Sequence, residues 1–278
     1  MDRPFLSLVV PAYNEQGRLP ATFEKMRAFL TGQPFSYEVL IVDDGSADGT
    51  AALVEGAMPD FPGLRLLKEP HRGKGHVVRQ GMLAASGRYV MFCDADFSMP
   101  VEEVVRFPEA MGSSYQIAIA SREVRGARRI GEPPHRHLMG RVFNLIVRIL
   151  AVPGLQDTQC GFKCFTREAA REIFGRQVID GFGFDVEVLY IARKMRLGIT
   201  EVPISWYYSP SSRVDPVRDT IRMVRDVLEV RSNDRRGVYS SATAWNDPAA
   251  SASRERDAST EKRAVDEKKK QAARHGER

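Results

Sequence analysis

Short apolar runs alternate with segments of helical periodicity through the first 120 residues, and this alternation constrains the fold most. The apolar runs have the length and continuity of strands buried on both faces; they span residues 6–10, 37–42, 64–67, 89–93 and 116–120. The helical segments between them span residues 18–30, 49–57, 75–85 and 101–111. Such alternation implies right-handed βαβ crossovers. It predicts an α/β fold of Rossmann-like type, with a mostly parallel central sheet flanked by helices.

Polar clusters follow three of these predicted strands at the point where each ends. They are Pro11-Ala12-Tyr13-Asn14-Glu15, Asp43-Asp44-Gly45-Ser46 and Asp94-Ala95-Asp96. Ligands of parallel sheets bind at the carboxyl ends of strands, so the clusters should converge on one pocket. A tyrosine can pack on a base, and carboxylates can accept from ribose hydroxyls or bind Mg²⁺ or Mn²⁺. An isolated Asp-x-Asp is more often a turn, but the three clusters together predict a nucleoside diphosphate site.

The positive charge of the chain is concentrated in one internal segment. The formal net charge is +5, and residues 120–148 alone carry seven arginines against two glutamates. Residues 121–137 are rich in Arg, Gly, Pro and His and predict a mobile loop. Residues 138–152 predict an apolar helix, which either packs in the core or lies in a membrane interface. A local basic segment favours a local anionic partner.

Composition excludes several other classes of protein. Three cysteines are too few for a disulfide framework and predict a reducing compartment. No uncharged apolar run reaches the length of about 18 residues that a membrane span needs, and no apolar region of a signal peptide follows the N-terminus. Residues 231–278 hold 12 basic and 8 acidic side chains with only Tyr239 and Trp245 as aromatics. This tail is predicted to be disordered and suits nucleic acid poorly.

The polar clusters resemble those of glycosyltransferase family 2, the inverting sugar-nucleotide enzymes of the GT-A fold, and the resemblance runs from about residue 6 to residue 230. In the second half, Ser121-Arg122, the basic loop, residues 157–163 and residues 183–187 resemble the dolichyl-phosphate β-glucosyltransferase branch. The resemblance implies a GT-A domain over residues 1–230. Its nucleotide-sugar half covers about 1–120 and its acceptor half about 121–230, and the charged tail follows.

The resemblance also assigns roles to individual residues. Nucleotide-sugar binding is expected of Pro11, Tyr13, Glu15, Asp43, Lys74 and Asp94. Asp94 and Asp96 are expected to bind the metal ion, Mg²⁺ or Mn²⁺, with Asp96 as the main ligand and a catalytic residue. The acceptor phosphate is expected on Arg122, Arg128, Arg129, Arg136 and Arg141. The alternative interpretations without a functional role are that Lys74 lies in a solvent-exposed turn and that the arginines lie in a solvent-exposed basic loop.

Asp157 is the second candidate catalytic residue, and its role depends on the acceptor. A phosphomonoester is already ionised near neutral pH, because its second pKa is about 6. A phosphate acceptor therefore needs no strong base, and Asp157 would then shape the pocket. An alcohol acceptor would need a base, for which Asp157 is the candidate.

The function implied by the resemblance is inverting, metal-dependent transfer of a hexose to a polyprenyl or dolichyl monophosphate. UDP-glucose is the expected donor by resemblance only, so other hexoses and GDP remain open. The main alternative is a soluble family 2 enzyme with a small hydroxyl or phosphate acceptor. A nucleotidyltransferase is disfavoured because residues 11–15 are not the Gly-rich, Lys-containing loop that such enzymes place after the first strand. A cytoplasmic protein is expected, attached peripherally to the inner face of a membrane surface.

Overall fold

The computed structural model describes residues 3–133, 149–208 and 216–240, together with Gly140, Arg141, Asn144, Leu145 and Val147; for residues 216–224 it describes the backbone alone. The chain divides into two compact units, Met1–Thr243 and Ala244–Arg278, and the second lies outside the described residues. Six residues of the predicted apolar helix 138–152 also lie outside them, as does Arg136.

Strands and helices alternate through the first half, as the apolar runs predict. The strands are β1 (Leu6–Ala12), β2 (Tyr37–Asp44), β3 (Leu64–Glu69), β4 (Tyr89–Cys93), β5 (Ile117–Ser121), β6 (Arg128–Ile130), β7 (Phe162–Thr166), β8 (Ile199–Pro203) and β9 (Ser205–Tyr207). The α-helices are α1 (Leu19–Thr31), α2 (Thr50–Ala57), α3 (Lys74–Ala84), α4 (Arg106–Met111), α5 (Arg167–Phe174), α6 (Phe184–Lys194) and α7 (Pro216–Arg235). Short 3₁₀ helices cover Met58–Asp60, Val101–Val105 and Val238–Ser240.

Seven strands form one central sheet in the order β3-β2-β1-β4-β7-β5-β8. Every pairing is parallel except those of β7, which runs antiparallel to both β4 and β5. The prediction of a mostly parallel sheet is confirmed. Because β1, β2, β4 and β5 point the same way, their carboxyl ends lie along one edge of the sheet. The amino end of β7, at Phe162, lies at that same edge.

The core is built on the strands, since the side chains of β1, β4 and β5 are buried along their whole length. Helix α3 packs closely on this sheet at Gly81. A Cβ atom at Gly81 would lie 2.3 Å from Cγ1 of Val9 and 2.8 Å from Cγ2 of Val42. Because Gly81 has no side chain, α3 can pack directly on the middle of the sheet. This packing also brings Lys74, at the start of the helix, close to the sheet.

The second half differs from the sequence expectation at three places. Part of the predicted loop 121–137 is strand β6, which pairs in parallel with β9 in a separate two-stranded sheet. The single strand predicted over residues 199–206 is two strands, broken at Ile204. The ordered chain continues past residue 230, because α7 runs to Arg235 and Tyr239 is buried. Within the described residues, no helix has both the length and the apolar character needed to cross a bilayer.

Candidate active site

The loop between β3 and α3 is fixed to the end of β2 by Asp44. The backbone N–H groups of Arg72 and Gly73 donate to the buried Asp44 carboxylate, at 2.9 Å and 3.1 Å, and the His71 ring lies 2.9 Å from it. Gly73 adopts φ +121°, in the region that favours glycine. Sequence reasoning singled out the neighbouring Asp43 and missed Asp44. Its burial and backbone partners identify it as the residue that positions Lys74.

Lys74 crosses from this loop to the Asp94-Ala95-Asp96 turn. Its ammonium group donates to Oδ1 of Asp94 at 2.6 Å, and both side chains are partly buried. Burial by itself would lower the pKa of Lys74, but the charges of Asp94 and Asp185 outweigh it and raise that pKa above the ordinary lysine value. Lys74 is therefore a fixed positive charge beside the two strand-end aspartates.

Gly161 brings the predicted acceptor half against the same turn. Its carbonyl accepts from the backbone N–H of Asp94 at 3.1 Å. A Cβ atom at Gly161 would lie 1.9 Å from Oδ2 of Asp94, so only glycine leaves room for this carboxylate. The predicted nucleotide-sugar half and the predicted acceptor half are thus in direct contact at Asp94.

Asp96 sits in the same turn and has the chemistry of a metal ligand. Its Oδ1 accepts from the backbone N–H of Ser98 at 3.2 Å. Burial, and next the charge of Asp94, raise the pKa of Asp96. Two carboxylates that repel each other in a half-buried turn are stabilised by a divalent cation. Among the described residues no group of three or more His, Cys, Asp or Glu could hold a metal. Two carboxylates on one turn would leave the other coordination positions of such an ion to diphosphate oxygens and water.

The ends of β1 and β2 are joined by a network of short polar contacts. The backbone N–H of Asn14 donates to the Ser46 hydroxyl at 2.9 Å, and that hydroxyl donates to Asp43. The Asn14 side chain accepts from the backbone N–H of Ala47 at 2.9 Å. This network orders the loop beside the predicted nucleoside pocket. Asp43 itself is buried, with its carboxylate directed into its own turn.

Tyr13 and Glu15 have partners that the sequence did not indicate. The ring of Tyr13 is 37% exposed and stacks on His71, with 4.3 Å between ring centroids and 18° between planes. Pro11 lies buried one residue before the end of β1. Glu15 forms an ion pair with Arg18 at 2.6 Å. Pro11, Tyr13, Glu15 and Asp43 therefore all lie at the carboxyl edge of the sheet, and their nucleoside contacts stay a prediction.

Asp157 forms a buried ion pair with Arg122. The guanidinium donates to it from Nε at 2.7 Å and from Nη2 at 3.0 Å, and the backbone N–H of Arg122 donates at 3.0 Å. Burial would raise the pKa of Asp157, but Arg122 holds it well below the ordinary aspartate value. A carboxylate so strongly stabilised in its charged form is a poor proton acceptor. The geometry thus favours the pocket-shaping role over that of a base.

The predicted phosphate-binding arginines fall into two groups. The guanidinium groups of Arg122 and Arg129 lie over Trp206, with Cζ 5.4 Å and 6.0 Å from its ring centroid. Arg129 is also paired with Glu123 at 2.5 Å and Glu132 at 2.7 Å. Both arginines are thus paired with carboxylates of the protein, although Nε of Arg129 is buried without a hydrogen-bond partner among the described residues. Arg128 and Arg141 are exposed, whereas Arg136 lies outside the described residues.

A second buried ion pair supports the loop that carries Gly161. Lys163 is fully buried on β7; its ammonium group donates to the Cys160 carbonyl at 2.8 Å and to Asp185 at 2.5 Å. Asp185 also contributes to the charge environment of Lys74. Sequence analysis placed Lys163 and Asp185 only within the segments 157–163 and 183–187 and assigned neither a role. A lysine inside a strand that otherwise reads as apolar was the available signal.

Glu187 anchors the segment that packs behind the Lys74 loop. It accepts from the backbone N–H groups of Val178 and Ile179, at 3.1 Å and 2.9 Å, and from the Tyr239 hydroxyl at 2.8 Å. Burial raises the pKa of Glu187 to about 7, although all three donors oppose that shift. The segment it holds approaches Gly75, where a Cβ atom would lie 2.4 Å from the Ile179 carbonyl.

Several curated proteins similar to this chain are named dolichyl-phosphate beta-glucosyltransferase. The chain is 37% identical over 253 residues to a dolichyl-phosphate beta-glucosyltransferase of Dictyostelium discoideum, with 86% of this chain and 77% of that protein covered. It is 33% identical to the enzyme of that name from Saccharomyces cerevisiae, with 84% and 76% covered. The human enzyme of that name is 32% identical, with 84% and 77% covered.

Solved structures with a similar fold include glucosyl-3-phosphoglycerate synthase from Mycobacterium tuberculosis. Its complex with UDP matches with a TM-score of 0.59 and 22% identity, covering 82% of this chain and 78% of that one. Its complex with Mn²⁺, UDP-glucose and glycerol 3-phosphate matches with a TM-score of 0.60 and 21% identity, covering 84% and 80%. These matches confirm the GT-A fold.

A family model matches the part of the chain that builds the strand-end site. Residues 7–174 match the model for glycosyl transferase family 2. They contain every strand from β1 to β7 and the loops that carry Lys74, Asp94, Asp96 and Asp157. The chain therefore belongs to glycosyl transferase family 2 and is a glycosyltransferase.

Proposed function

We propose that this glycosyltransferase transfers glucose from UDP-glucose to a polyprenyl or dolichyl monophosphate, with inversion at the anomeric carbon. The single observation that carries the proposal is the contact between the two halves at Asp94, where Lys74 and Gly161 meet. It supports a donor diphosphate and an acceptor phosphate side by side at one edge of the sheet. The names of the similar curated proteins supply the sugar and the lipid phosphate.

On the donor side, the exposed face of Tyr13 is suited to pack on uracil, and Lys74 is suited to neutralise part of the diphosphate. Asp96, with Asp94 beside it, would hold Mg²⁺ or Mn²⁺. When bound, the ion would neutralise charge on the departing diphosphate. Lys74 reaches the same turn from the start of α3 and offers a second positive charge there, already oriented by Asp94. Such fixed charges stabilise the transition state without reorganisation.

On the acceptor side, Arg128 and Arg141 are exposed and available for a phosphate. Arg122 and Arg129 instead pack over Trp206 and form the surface beside it. An oxygen of the lipid phosphate attacks C1 of glucose from the face opposite UDP. The bond from C1 to the diphosphate oxygen breaks, and its electron pair leaves with UDP. The acceptor passes from a phosphate monoester to a diester, so no protein group has to remove a proton from it.

Peripheral attachment to a membrane surface belongs to this proposal. Apolar side chains are exposed at Ile130 in the basic loop, at Tyr207, which pairs with it, and at Ile149 farther along the chain. Ile149 is 72% exposed. A polyprenyl chain is insoluble in water, so its phosphate has to be taken from a lipid surface. We expect the chain to sediment with anionic vesicles, and Ile149→Glu to weaken that binding.

The test is a glucosyl-transfer assay with UDP-glucose, Mn²⁺ and a polyprenyl phosphate in detergent, run beside 3-phosphoglycerate as a rival acceptor. Asp96→Asn should lower kcat by about a hundredfold or more, the range found when one charge-stabilising group is removed. It should also abolish the Mn²⁺ dependence of UDP binding measured by calorimetry. Glu102→Gln, at an exposed carboxylate six residues on, is the matched control.

Each half of the proposal can fail separately. Mn²⁺-dependent UDP binding that survives in Asp96→Asn would remove the metal role from this turn. Turnover with 3-phosphoglycerate but not with polyprenyl phosphate would replace the lipid acceptor. Arg128→Gln should raise KM for the lipid phosphate while leaving KM for UDP-glucose unchanged, and Arg27→Gln, at an exposed arginine on α1, is its control.

A further inference from the structure

A basic cavity lies at the edge of the sheet opposite the candidate active site. Its volume is about 350 Å³, and its walls are Arg3, Pro4, Phe5, Arg88, Arg167 and Glu168. Residues 3–5 precede β1 and Arg88 precedes β4, so both segments lie at the amino ends of parallel strands. Arg167 follows β7, which runs the other way and therefore ends at this same edge.

The backbone fixes the three arginines relative to one another. The N–H of Arg88 donates to the carbonyl of Pro4 at 2.8 Å, and the N–H of Arg167 donates to the carbonyl of Arg88 at 3.1 Å. The floor is also firmly packed, because the ring of Phe5 lies 5.2 Å from that of Tyr89. The cavity is thus a built feature, with three guanidinium groups carried by adjoining backbone.

Among the residues that the structure describes, Arg3, Arg88 and Arg167 have no carboxylate partner of the kind that Arg122 and Arg129 have. Among the described residues, Nε of Arg167 is buried and has no hydrogen-bond partner. Glu168 is the single acidic residue among the six described residues of the wall. Burial and the nearby positive charges of Arg171 and Arg3 lower the pKa of Arg167. Leaving a buried donor unsatisfied among like charges is unfavourable, and a bound anion would relieve both costs.

We propose that this cavity binds a phosphate group, either of a free phosphate compound or of an anionic phospholipid headgroup. Guanidinium groups match the oxygens of phosphate through paired, charge-assisted hydrogen bonds. The cavity is at the small end of the range for ligand pockets, which leaves room for a phosphate group together with the small group that carries it. The site is distinct from the donor site and does not depend on the acceptor proposed above.

The first test measures thermal unfolding of the full chain against inorganic phosphate at constant ionic strength. At a phosphate concentration about tenfold above Kd, the wild-type Tm should rise by roughly 3 to 5 °C. Arg167→Gln should lose most of that rise and should already melt higher than wild type without phosphate, because it removes the unsatisfied guanidinium. Arg27→Gln, outside the cavity, should keep the rise. Phosphate binding at the active-site edge contributes equally to all three proteins and cancels in the comparison.

The second arm distinguishes the two sources of phosphate. Co-sedimentation is measured with vesicles of phosphatidylcholine alone and with vesicles that contain phosphatidic acid. A lipid headgroup predicts that Arg167→Gln and Arg88→Gln each lose several-fold in binding to the phosphatidic acid vesicles, whereas a free phosphate compound predicts no such loss. Glucosyl transfer in detergent should be unchanged in both variants, which separates this site from the proposed function. Equal phosphate responses and equal vesicle binding in wild type and both variants would overturn the proposal.

Discussion

Replacing Asp157 with asparagine tests whether this residue positions Arg122 or removes a proton. The substitution keeps the shape of the side chain and removes its charge. Arg122 then remains largely buried without its counter-charge, because only 18% of its side chain is exposed. Removing one member of a buried ion pair costs about 3 to 5 kcal/mol. Since water reaches part of Arg122, we expect about 3 kcal/mol, which corresponds to a fall in Tm of roughly 6 to 12 °C.

The pH dependence of this effect has a definite sign. The pKa of Asp157 is lowered in the folded protein, so the pair stabilises the fold above the pKa of the unfolded aspartate, about 4. That stabilisation is lost as the pH falls through the native pKa. The difference in unfolding free energy between wild type and Asp157→Asn should therefore be full at pH 7 and should shrink in strong acid.

The assay combines urea unfolding with steady-state kinetics. Asp157→Asn should raise KM for the acceptor. In a plot of kcat against pH, the fall in kcat at low pH (the acid limb) should be the same as in the wild type. A paired substitution, Arg122→Met with Asp157→Leu, should recover part of the lost stability. Glu55→Gln is the control, because its partner Lys68 is exposed and such pairs contribute at most about 1 kcal/mol. An unchanged Tm together with loss of the acid limb would refute the reasoning and make Asp157 a base.

Two further outcomes follow from close packing and from burial. Gly161→Ala places a Cβ atom against the Asp94 carboxylate and displaces it. Because a displacement of about 1 Å can cost about a hundredfold in rate, kcat/KM for UDP-glucose should fall by about that factor in the glucosyl-transfer assay. Gly56→Ala is the control, because its added Cβ atom meets nothing within 4 Å and should leave kcat/KM unchanged. The pKa of Glu187 is raised to about 7 from 4.5, so the native state holds this proton more tightly. Urea unfolding should show stability falling between pH 4.5 and 7, by up to about 3 kcal/mol, and the fall should be absent in Glu187→Gln; the same fall in both proteins would contradict it.

The donor half of the fold could be predicted because its signals are local. Each apolar run from β1 to β5 is long enough for a strand, and those of β1, β2 and β4 end where a polar cluster begins, so the alternation itself gives the edge of the sheet. The residues that complete the site depend on contacts made far along the chain. Asp43 and Asp44 are neighbours of the same residue type and differ only in the direction of their side chains. That direction cannot be read from the sequence.

The acceptor half was less predictable for the same reason. The antiparallel insertion of β7 is a property of pairing between distant strands, and nothing in residues 162–166 distinguishes a parallel from an antiparallel partner. The basic loop shows a second limit. Composition identifies arginines but not their partners, so Arg122 and Arg129 looked equivalent to Arg128. The structure distinguishes them, because Arg122 pairs with Asp157 from outside the segment and Arg129 pairs with Glu123 within it.

The position of β7 in the middle of the sheet limits how this enzyme can be divided or rebuilt. Since β7 is hydrogen-bonded to β4 on one side and to β5 on the other, a fragment ending near residue 120 would leave both of those strands with bare edges. Such edges promote aggregation. The predicted nucleotide-sugar and acceptor halves thus contribute strands to one sheet, so we expect acceptor preference to be re-engineered better by grafting loops than by exchanging whole halves.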